Sequence, residues 1–178
     1  MQIEAITPQT LAPYLSHLAR QVGESGNLGL PIFNPLPRAT RPTAEDLRPE
    51  RERGLATPLD EPLWRRMWGA WDGDEVVGGS ELLGGAYPSE LHRATFSLGL
   101  ERRVYGRGVA MQLVEAVLAW VREQPRIEYL QLDVFATNTS AIRLYERLGF
   151  ERAGVIADRF RVDGEVIDDL IMTYRVAR

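Results

Sequence analysis

Hydrophobic and polar positions along the chain follow two periods, which predict strands and helices. Positions 2–6 alternate between polar and apolar residues, as in a half-buried strand. We predict that a helix follows, with Thr7 as its N-cap and Pro8 as its first residue. The apolar face of this helix consists of residues at helical spacing, namely Leu11, Leu15, Leu18 and Val22.

The pattern changes between Gly23 and about Pro62. Prolines interrupt every regular pattern in this stretch: Pro31, Pro35, Pro37, Pro42, Pro49 and Pro58. We therefore predict a long loop or an arm that contains short helical pieces. Loops of such length in compact domains are usually functional or disordered.

Strand signals return after this stretch and predict a β meander. The runs 67–71 and 76–83 flank Asp72-Gly73-Asp74, which is a hairpin turn sequence. A third run places four apolar residues on one face: Ala94, Phe96, Leu98 and Leu100. Three antiparallel strands in sequence are the simplest interpretation.

The second half of the chain switches to a helical period and back. Apolar residues at i, i+3, i+4 and i+7 predict a helix from about Gly108 to Glu123, which Gln124-Pro125 ends. The alternating run 130–134 predicts another strand, and a second helix ends at Gly149-Phe150 with a glycine C-cap. Two last strands surround the hairpin turn Asp163-Gly164.

Composition limits the class of protein. The chain has 178 residues, 44% of them hydrophobic and 26% charged, which suits a single compact domain over residues 1–178. Its net charge of −4 does not favour non-specific binding of nucleic acid, which usually needs a basic face. Cysteine is absent, and His17 and His92 lack ligand-like spacing, so we expect neither disulfides nor a metal. No signal peptide is recognisable and no apolar run reaches about 20 residues, which predicts a cytoplasmic protein without a membrane partner.

One strand-to-helix turn has the composition of an anion-binding site. It comprises Gly106, Arg107, Gly108, Val109 and Ala110, and the first N–H groups of the following helix have no internal partner. Small residues let a phosphate approach the backbone closely, and Arg107 adds a positive charge. A tight turn without a ligand is the alternative interpretation. The spacing fits neither a dinucleotide fingerprint nor a P-loop.

A second motif lies downstream of this turn. Asn138, Ala141, Tyr145, Gly149 and Phe150 have the spacing N-x-x-A-x-x-x-Y-x-x-x-G-F, which resembles the GNAT superfamily of N-acetyltransferases. The glycine turn resembles that superfamily's R/Q-x-x-G-x-G/A diphosphate loop. In one register Tyr105 takes the place of the arginine or glutamine, and in another Arg103 keeps the arginine. We prefer the first register because the second shifts the helix by two positions relative to the family.

The resemblance implies a fold and a co-substrate. The fold is a GNAT-like α/β (α+β) architecture: a central mixed, mostly antiparallel twisted sheet with two splayed parallel strands and flanking helices. Acetyl-CoA would lie between the strands that end at Leu100 and Val134, without a metal. The cofactor-binding residues that the resemblance implies are Leu98, Leu100, Arg103, Tyr105, Gly106, Arg107, Gly108, Val109, Ala110, Met111, Asn138 and Ala141.

The resemblance also implies direct attack of a neutral amine on the thioester, which requires proton transfers. Tyr145 resembles the general acid of the family, although its position on an apolar helix face also fits a core tyrosine. Where some relatives carry a glutamate on the strand before the loop, this chain has Ala94. Our candidate bases are Glu81 and His92, and a water relay is an equal alternative.

The predicted activity is acyl-CoA-dependent transfer of an acetyl group to a primary amine of a small molecule, an amino acid or a peptide N-terminus. The alternative is a non-catalytic acyl-CoA sensor of the same fold. The resemblance places the stretch 23–62 and the C-terminal hairpin on the acceptor side. Three tryptophans, Trp64, Trp68 and Trp71, either line an acceptor pocket or belong to the core. A homodimer also fits the family.

Overall fold

One sheet organises the fold. The computed structural model describes residues 1–27 and 29–177, and within them seven strands pair side by side. In chain order these strands are β1 (Gln2–Ala5), β2 (Arg65–Asp72), β3 (Glu75–Gly84), β4 (Arg93–Leu100), β5 (Tyr129–Phe135), β6 (Glu151–Val162) and β7 (Glu165–Arg175). Their order across the sheet is β1-β2-β3-β4-β5-β7-β6. The predicted meander and the predicted closing hairpin are confirmed.

Strands β4 and β5 run parallel, whereas the other neighbouring strands run antiparallel. The parallel pairing joins residues 93–95 to residues 129–131. Beyond it, β4 remains paired with β3 as far as Leu100, and β5 remains paired with β7 as far as Phe135. The two strands therefore diverge and leave a wedge between them. This confirms the predicted fold class.

Helices cover both faces of the sheet; they are α1 (Leu11–Glu24), α2 (Ala44–Ala56), α3 (Val109–Arg122) and α4 (Thr139–Arg147). Neighbouring residues of a strand point to opposite faces. A Cβ at Gly79 would meet Tyr14 of α1, whereas a Cβ at Gly78 would meet Leu113 of α3. We therefore distinguish an α1 face, which α2 shares, from an α3 face, where α4 also packs.

The main core lies on the α3 face. It includes Trp64 and Trp68, which are 0% and 6% exposed, and both rings contact Trp120 of α3 at centroid distances of 6.1 and 5.5 Å. These two tryptophans therefore belong to the core and not to an acceptor pocket. Large buried apolar side chains of this kind contribute about 1.5–3 kcal/mol each.

The start of α1 differs from the prediction. The helix begins at Leu11, with Thr10 as its N-cap, and not at Thr7-Pro8. Residues 7–10 form a separate turn, in which the N–H of Thr10 donates to the carbonyl of Thr7 (3.1 Å). The Thr10 hydroxyl accepts from the N–H of Thr7 (2.9 Å) and stabilises this turn.

The prediction that prolines interrupt every regular pattern of the stretch 23–62 is wrong for α2, which continues through Pro49. A capping box starts this helix: the Thr43 hydroxyl accepts from the N–H of Asp46, and the Asp46 carboxylate accepts from the N–H of Thr43. A proline inside a helix removes one hydrogen bond. Ion pairs from α2 to Arg65 of β2 and Glu81 of β3 hold the helix on the sheet and offset that loss.

Candidate active site

The wedge leaves part of the β4 backbone without a strand partner on its β5 side. Backbone N–H groups along a strand point alternately towards its two neighbours. The N–H of Glu101, directly after β4, donates to Val77 of β3 (3.0 Å). The N–H groups of Leu100 and Leu98, one and three residues earlier, therefore point into the wedge. Both residues are predicted cofactor-binding positions.

The turn after β4 forms an open cradle. Gly106 (φ 74°) and Gly108 (φ 75°) both adopt the left-handed backbone conformation that favours glycine. Gly108 is the N-cap of α3, and no side chain caps this end of the helix. A Cβ added at either glycine would meet no protein atom within 4 Å. The uncapped N–H groups therefore face open space that suits a phosphate group.

The three residues that follow Gly108 contribute their backbone. Val109 is 2% exposed and packs in the core. Ala110 and Met111 are half-buried. These residues form the first turn of α3, so their N–H groups lack a carbonyl acceptor within the helix.

The charged and aromatic residues of the turn differ in their surroundings. Arg107 is exposed, and no described residue pairs with its guanidinium. Arg103 instead donates to Glu75 (2.9 Å) and to Glu101 (2.9 Å). Tyr105 is 47% exposed, and partial burial raises the pKa of its phenol. The geometry therefore favours Arg107 over Arg103 as the side chain that meets an anion.

Asn138 and Ala141 lie at the start of α4. The side-chain oxygen of Asn138 accepts from the N–H of Ala141 (3.3 Å) and from the Ser140 hydroxyl (3.0 Å), so Asn138 is the N-cap of the helix. The cap lies three residues beyond the end of β5, at the open end of the wedge. A contact of Asn138 with the pantetheine arm remains a prediction.

Tyr145 lies on the α3 face, where it packs edge-on against Phe96 of β4 at a centroid distance of 6.3 Å. The residue is 7% exposed, and burial raises the pKa of its phenol above the ordinary value. Among the described residues, none forms a hydrogen bond with its hydroxyl. This position under β4 is compatible both with the predicted acid and with a core tyrosine.

Glu81 lies on the α1 face of β3, opposite Ser97 of β4. It is 5% exposed, and each of its carboxylate oxygens accepts from a guanidinium group, one from Arg65 and one from Arg51 (3.2 Å). Two guanidinium groups favour the charged form of this carboxylate and so disfavour its protonation by a substrate amine. Sequence alone did not indicate these partners because they lie 16 and 30 residues away.

His92 lies at the closed end of the wedge. It precedes β4, its carbonyl accepts from Tyr129 (3.2 Å), and its ring packs edge-on against that tyrosine. Leu98 lies six positions further along the chain, which corresponds to about 20 Å of strand. The structure therefore does not bring His92 together with the other predicted site residues.

Asp133 is a carboxylate of the site that the sequence analysis did not select. Its neighbours Leu132 and Val134 are buried in the α3-side core, so Asp133 points to the α1 face, two residues beyond the last position paired with β4. Its side chain is 36% exposed and accepts from Arg159 (3.1 Å). Arg159 also donates to Asp169 (2.5 Å), and burial raises the pKa of that carboxyl. The sequence signal that points to Asp133 is its position as a polar residue between two apolar residues of an alternating strand.

Two further classes of feature are absent from the described ranges 1–27 and 29–177. No helix there is long and apolar enough to span a membrane. Nor do three or more histidine, aspartate or glutamate side chains come together there as ligands for a metal ion.

Comparison with known proteins decides the family. Residues 34–150 match the sequence model of the Acetyltransferase (GNAT) family. The chain belongs to this family. It is 30% identical over 113 residues to the L-amino acid N-acetyltransferase AaaT of Escherichia coli (strain K12), an alignment that covers 64% of this chain and 69% of that protein. The membership makes this GNAT protein an N-acetyltransferase enzyme, and a non-catalytic sensor is not favoured.

Solved structures of other proteins share its fold. An acetyltransferase of the GNAT family from Streptococcus pneumoniae superposes with a TM-score of 0.82 at 18% identity, covering 99% of each chain. A GNAT phosphinothricin acetyltransferase from Sinorhizobium meliloti, solved in complex with AcCoA, gives a TM-score of 0.77 at 14% identity over 99% of this chain and 88% of the other. At such identities the likeness establishes the fold, and enzymes of this family use acetyl-CoA.

Proposed function

We propose that this enzyme transfers the acetyl group of acetyl-CoA to a primary amine of a small molecule, an amino acid or a peptide N-terminus, by direct attack. One observation carries the proposal. The N–H groups of Leu98 and Leu100 line an open wedge that ends at the uncapped glycine cradle of Gly106 and Gly108. A strand edge followed by an anion cradle fits a ligand with an amide-bearing arm and a diphosphate.

Different residues would bind the different parts of this ligand. The N–H of Leu100 would pair with the amide-bearing arm, as a neighbouring strand does. The N–H of Leu98 would lie beside the thioester carbonyl. The cradle and the N–H groups of residues 109–111 would hold the diphosphate, with Arg107 beside them. Asn138 and Ala141 would flank the arm at the start of α4. The bound thioester supplies an activated acyl group.

The two faces of the sheet would serve the two proton transfers. The acceptor amine approaches from the α1 face, where Asp133 takes a proton directly or through one water. The amine nitrogen forms a bond to the carbonyl carbon, and the Leu98 N–H stabilises the charge that develops on the carbonyl oxygen. The carbon–sulfur bond then breaks, and Tyr145, on the opposite side of β4, donates its phenolic proton to the sulfur. Solvent then takes the proton from Asp133 and restores that of Tyr145.

The acceptor side would be built by the stretch 23–62 and the closing hairpin. Ile32 of that stretch packs against the buried cluster of Phe135, Val162 and Ile167, the last two of which belong to the hairpin, so the two parts meet. The similarity to an L-amino acid N-acetyltransferase supports a small acceptor with an amino group. A single domain over residues 1–178, a cytoplasmic location, a homodimer and the absence of metal, nucleic-acid and membrane partners remain predictions.

Calorimetric titration with acetyl-CoA tests the co-substrate site. Gly108→Glu places a side chain and a negative charge in the cradle, so we expect wild-type binding that this variant loses. Gly73→Glu is the matched control, because Gly73 has a similar backbone (φ 63°) and also has no atom within 4 Å of an added Cβ. It should bind normally. Release of CoA thiol with a panel of amines then separates an enzyme from a sensor. A folded wild type that does not bind acetyl-CoA contradicts the proposal.

The proton acceptor has its own test. Asp133→Asn keeps the shape of the side chain and removes its basicity, so we expect kcat to fall by about 10²-fold with little change in the KM for acetyl-CoA. Glu151→Gln, at an exposed carboxylate on β6, is the control. Equal rates for wild type and Asp133→Asn at every pH would contradict this role of Asp133 and would favour a water relay as the acceptor of the amine proton.

A further inference from the structure

A buried carboxylate lies directly before the cradle and outside the roles assigned so far. Glu101, the first residue after β4, is 4% exposed. It accepts hydrogen bonds from three side chains, which are His17 (3.0 Å), Arg20 (3.0 Å) and Arg103 (2.9 Å). Burial alone would raise the pKa of Glu101, but these three donors outweigh it and lower the pKa to about 2. The carboxylate is therefore ionised throughout the neutral range.

The same residue begins the cradle turn. Its carbonyl accepts from the N–H of Val104 (3.0 Å) and its N–H donates to Val77 of β3 (3.0 Å). Val104 is 1% exposed and anchors the middle of the turn in the core. The backbone of Glu101 thus forms both the last hydrogen bond between β4 and β3 and the first hydrogen bond of the turn.

The donors tie this point to α1. His17 is fully buried, and a Cβ at Gly79 would lie 3.3 Å from its ring, so α1 sits close against the sheet here. Arg20 also donates to the carbonyl of Val76 (2.9 Å). Glu24, one helical turn further along α1, accepts from the N–H of Arg102 (2.8 Å). Helix α1 and the turn are therefore bound together at two points.

We propose that Glu101 is a positioning residue for the diphosphate of the co-substrate. Its carboxylate, held by His17 and Arg20 on α1, sets the path of the turn so that Gly106, Gly108 and the N-terminus of α3 face the phosphate groups. It also keeps the Arg103 side chain directed away from the cradle. Glu101 does not contact the reacting atoms. This inference rests on the proposed function, because it concerns the same wedge.

The proposal predicts a loss that depends on the diphosphate. Glu101→Gln replaces one acceptor oxygen with an NH₂ group, which cannot accept from the guanidinium and imidazole donors. We expect kcat/KM for acetyl-CoA to fall about tenfold, as for other groups that orient a ligand-binding shell. The KM for acetyl-CoA should rise while kcat at saturation stays within about twofold of wild type, since the binding that is lost is shared by the ground state and the transition state.

S-acetyl-pantetheine is the decisive second substrate, because it has the thioester and the amide-bearing arm but no diphosphate. We expect Glu101→Gln to leave kcat/KM for this truncated donor unchanged. Ile127→Ala is the stability control: Ile127 is 2% exposed and lies beyond the opposite end of α3, about 21 Å along the helix from the cradle. This control should lower the melting temperature without changing the ratio of kcat/KM values for the two donors.

The outcomes are distinct. A specific loss with acetyl-CoA supports the proposal. Equal losses with both donors mean that Glu101 only stabilises the fold, which overturns it. If Glu101→Gln does not fold, Arg20→Gln removes one tether from the α1 side, and the same ratio decides. A wild type that binds no CoA refutes the proposed function itself, whereas an unchanged ratio in an active enzyme refutes only the role of Glu101.

Discussion

Removing the hydroxyl of Tyr145 separates a catalytic tyrosine from a core tyrosine. The Tyr145→Phe variant keeps the ring that packs against Phe96 and Phe150. No described residue forms a hydrogen bond with the hydroxyl, so its removal breaks no bond within the protein. We therefore expect the free energy of unfolding to change by less than about 0.5 kcal/mol.

The expected kinetic effect is much larger. If Tyr145 protonates the leaving sulfur, its loss should lower kcat by about 10²-fold, equivalent to about 2.7 kcal/mol in the barrier, with the KM for acetyl-CoA little changed. Burial raises the pKa of Tyr145, so the proton is present at neutral pH. The raised pKa also makes the phenol a weaker acid, so the relative pKa values of phenol and thiol decide the transfer.

Tyr14 supplies the matched control. It is 1% exposed and burial raises its pKa in the same direction, but its hydroxyl donates to the carbonyl of Ser80 (3.3 Å). Tyr14→Phe should therefore destabilise the protein by about 0.5–1.5 kcal/mol and keep most of kcat. Rates come from CoA thiol release, and stabilities from denaturant unfolding. Wild-type kcat in Tyr145→Phe throughout the neutral pH range would refute the acid role and leave Tyr145 as a core residue.

Two further predictions concern the cradle. Arg107→Ala should raise the Kd for acetyl-CoA about tenfold by calorimetry, and Arg103→Ala should raise it less, because Arg103 already binds Glu75 and Glu101; the opposite order would favour the alternative motif register. In acid unfolding experiments, the contribution of Glu101 to stability should be complete above its unfolded pKa of 4.5 and lost as the pH falls towards its folded pKa of about 2. Glu101→Gln should flatten this part of the stability profile, and an unchanged profile would contradict the ion-pair assignment.

Most elements that local sequence signals specify agree with the structure, although the Thr7-Pro8 signal misplaced the start of α1. The hairpin turn at residues 72–74, the glycine end of α4 and the apolar stripe of α3 each depend on residues within one or two turns of each other. The cradle also belongs to this class, because Gly106 and Gly108 are needed for a left-handed backbone that the sequence makes available. The conformation of these elements was therefore predictable from local signals. The fold class followed from the family resemblance, and binding of the co-substrate at the turn remains a prediction.

The differences arise where distant residues decide. Pro49 argued against α2, but the Thr43 capping box and ion pairs to Arg65 and Glu81 on the sheet favour the helix. These partners are 15–30 residues apart, so no local pattern reveals them. The same reason makes Glu81 a candidate base in the sequence, because its two arginine partners lie on other elements, Arg65 on β2 and Arg51 on α2.

The position of Asp133 shows what the sheet adds to the sequence. Alternation within β5 already separates Asp133 from Leu132 and Val134, and so predicts that it leaves the core. It does not predict that β4 and β5 diverge at this level, or that α1 and α2 cover the other face. Once both facts hold, a carboxylate on the α1 face and a phenol on the α3 face lie on opposite sides of one opening. A thioester between them would have its proton acceptor on the side where the amine enters and its proton donor on the side where the thiol leaves.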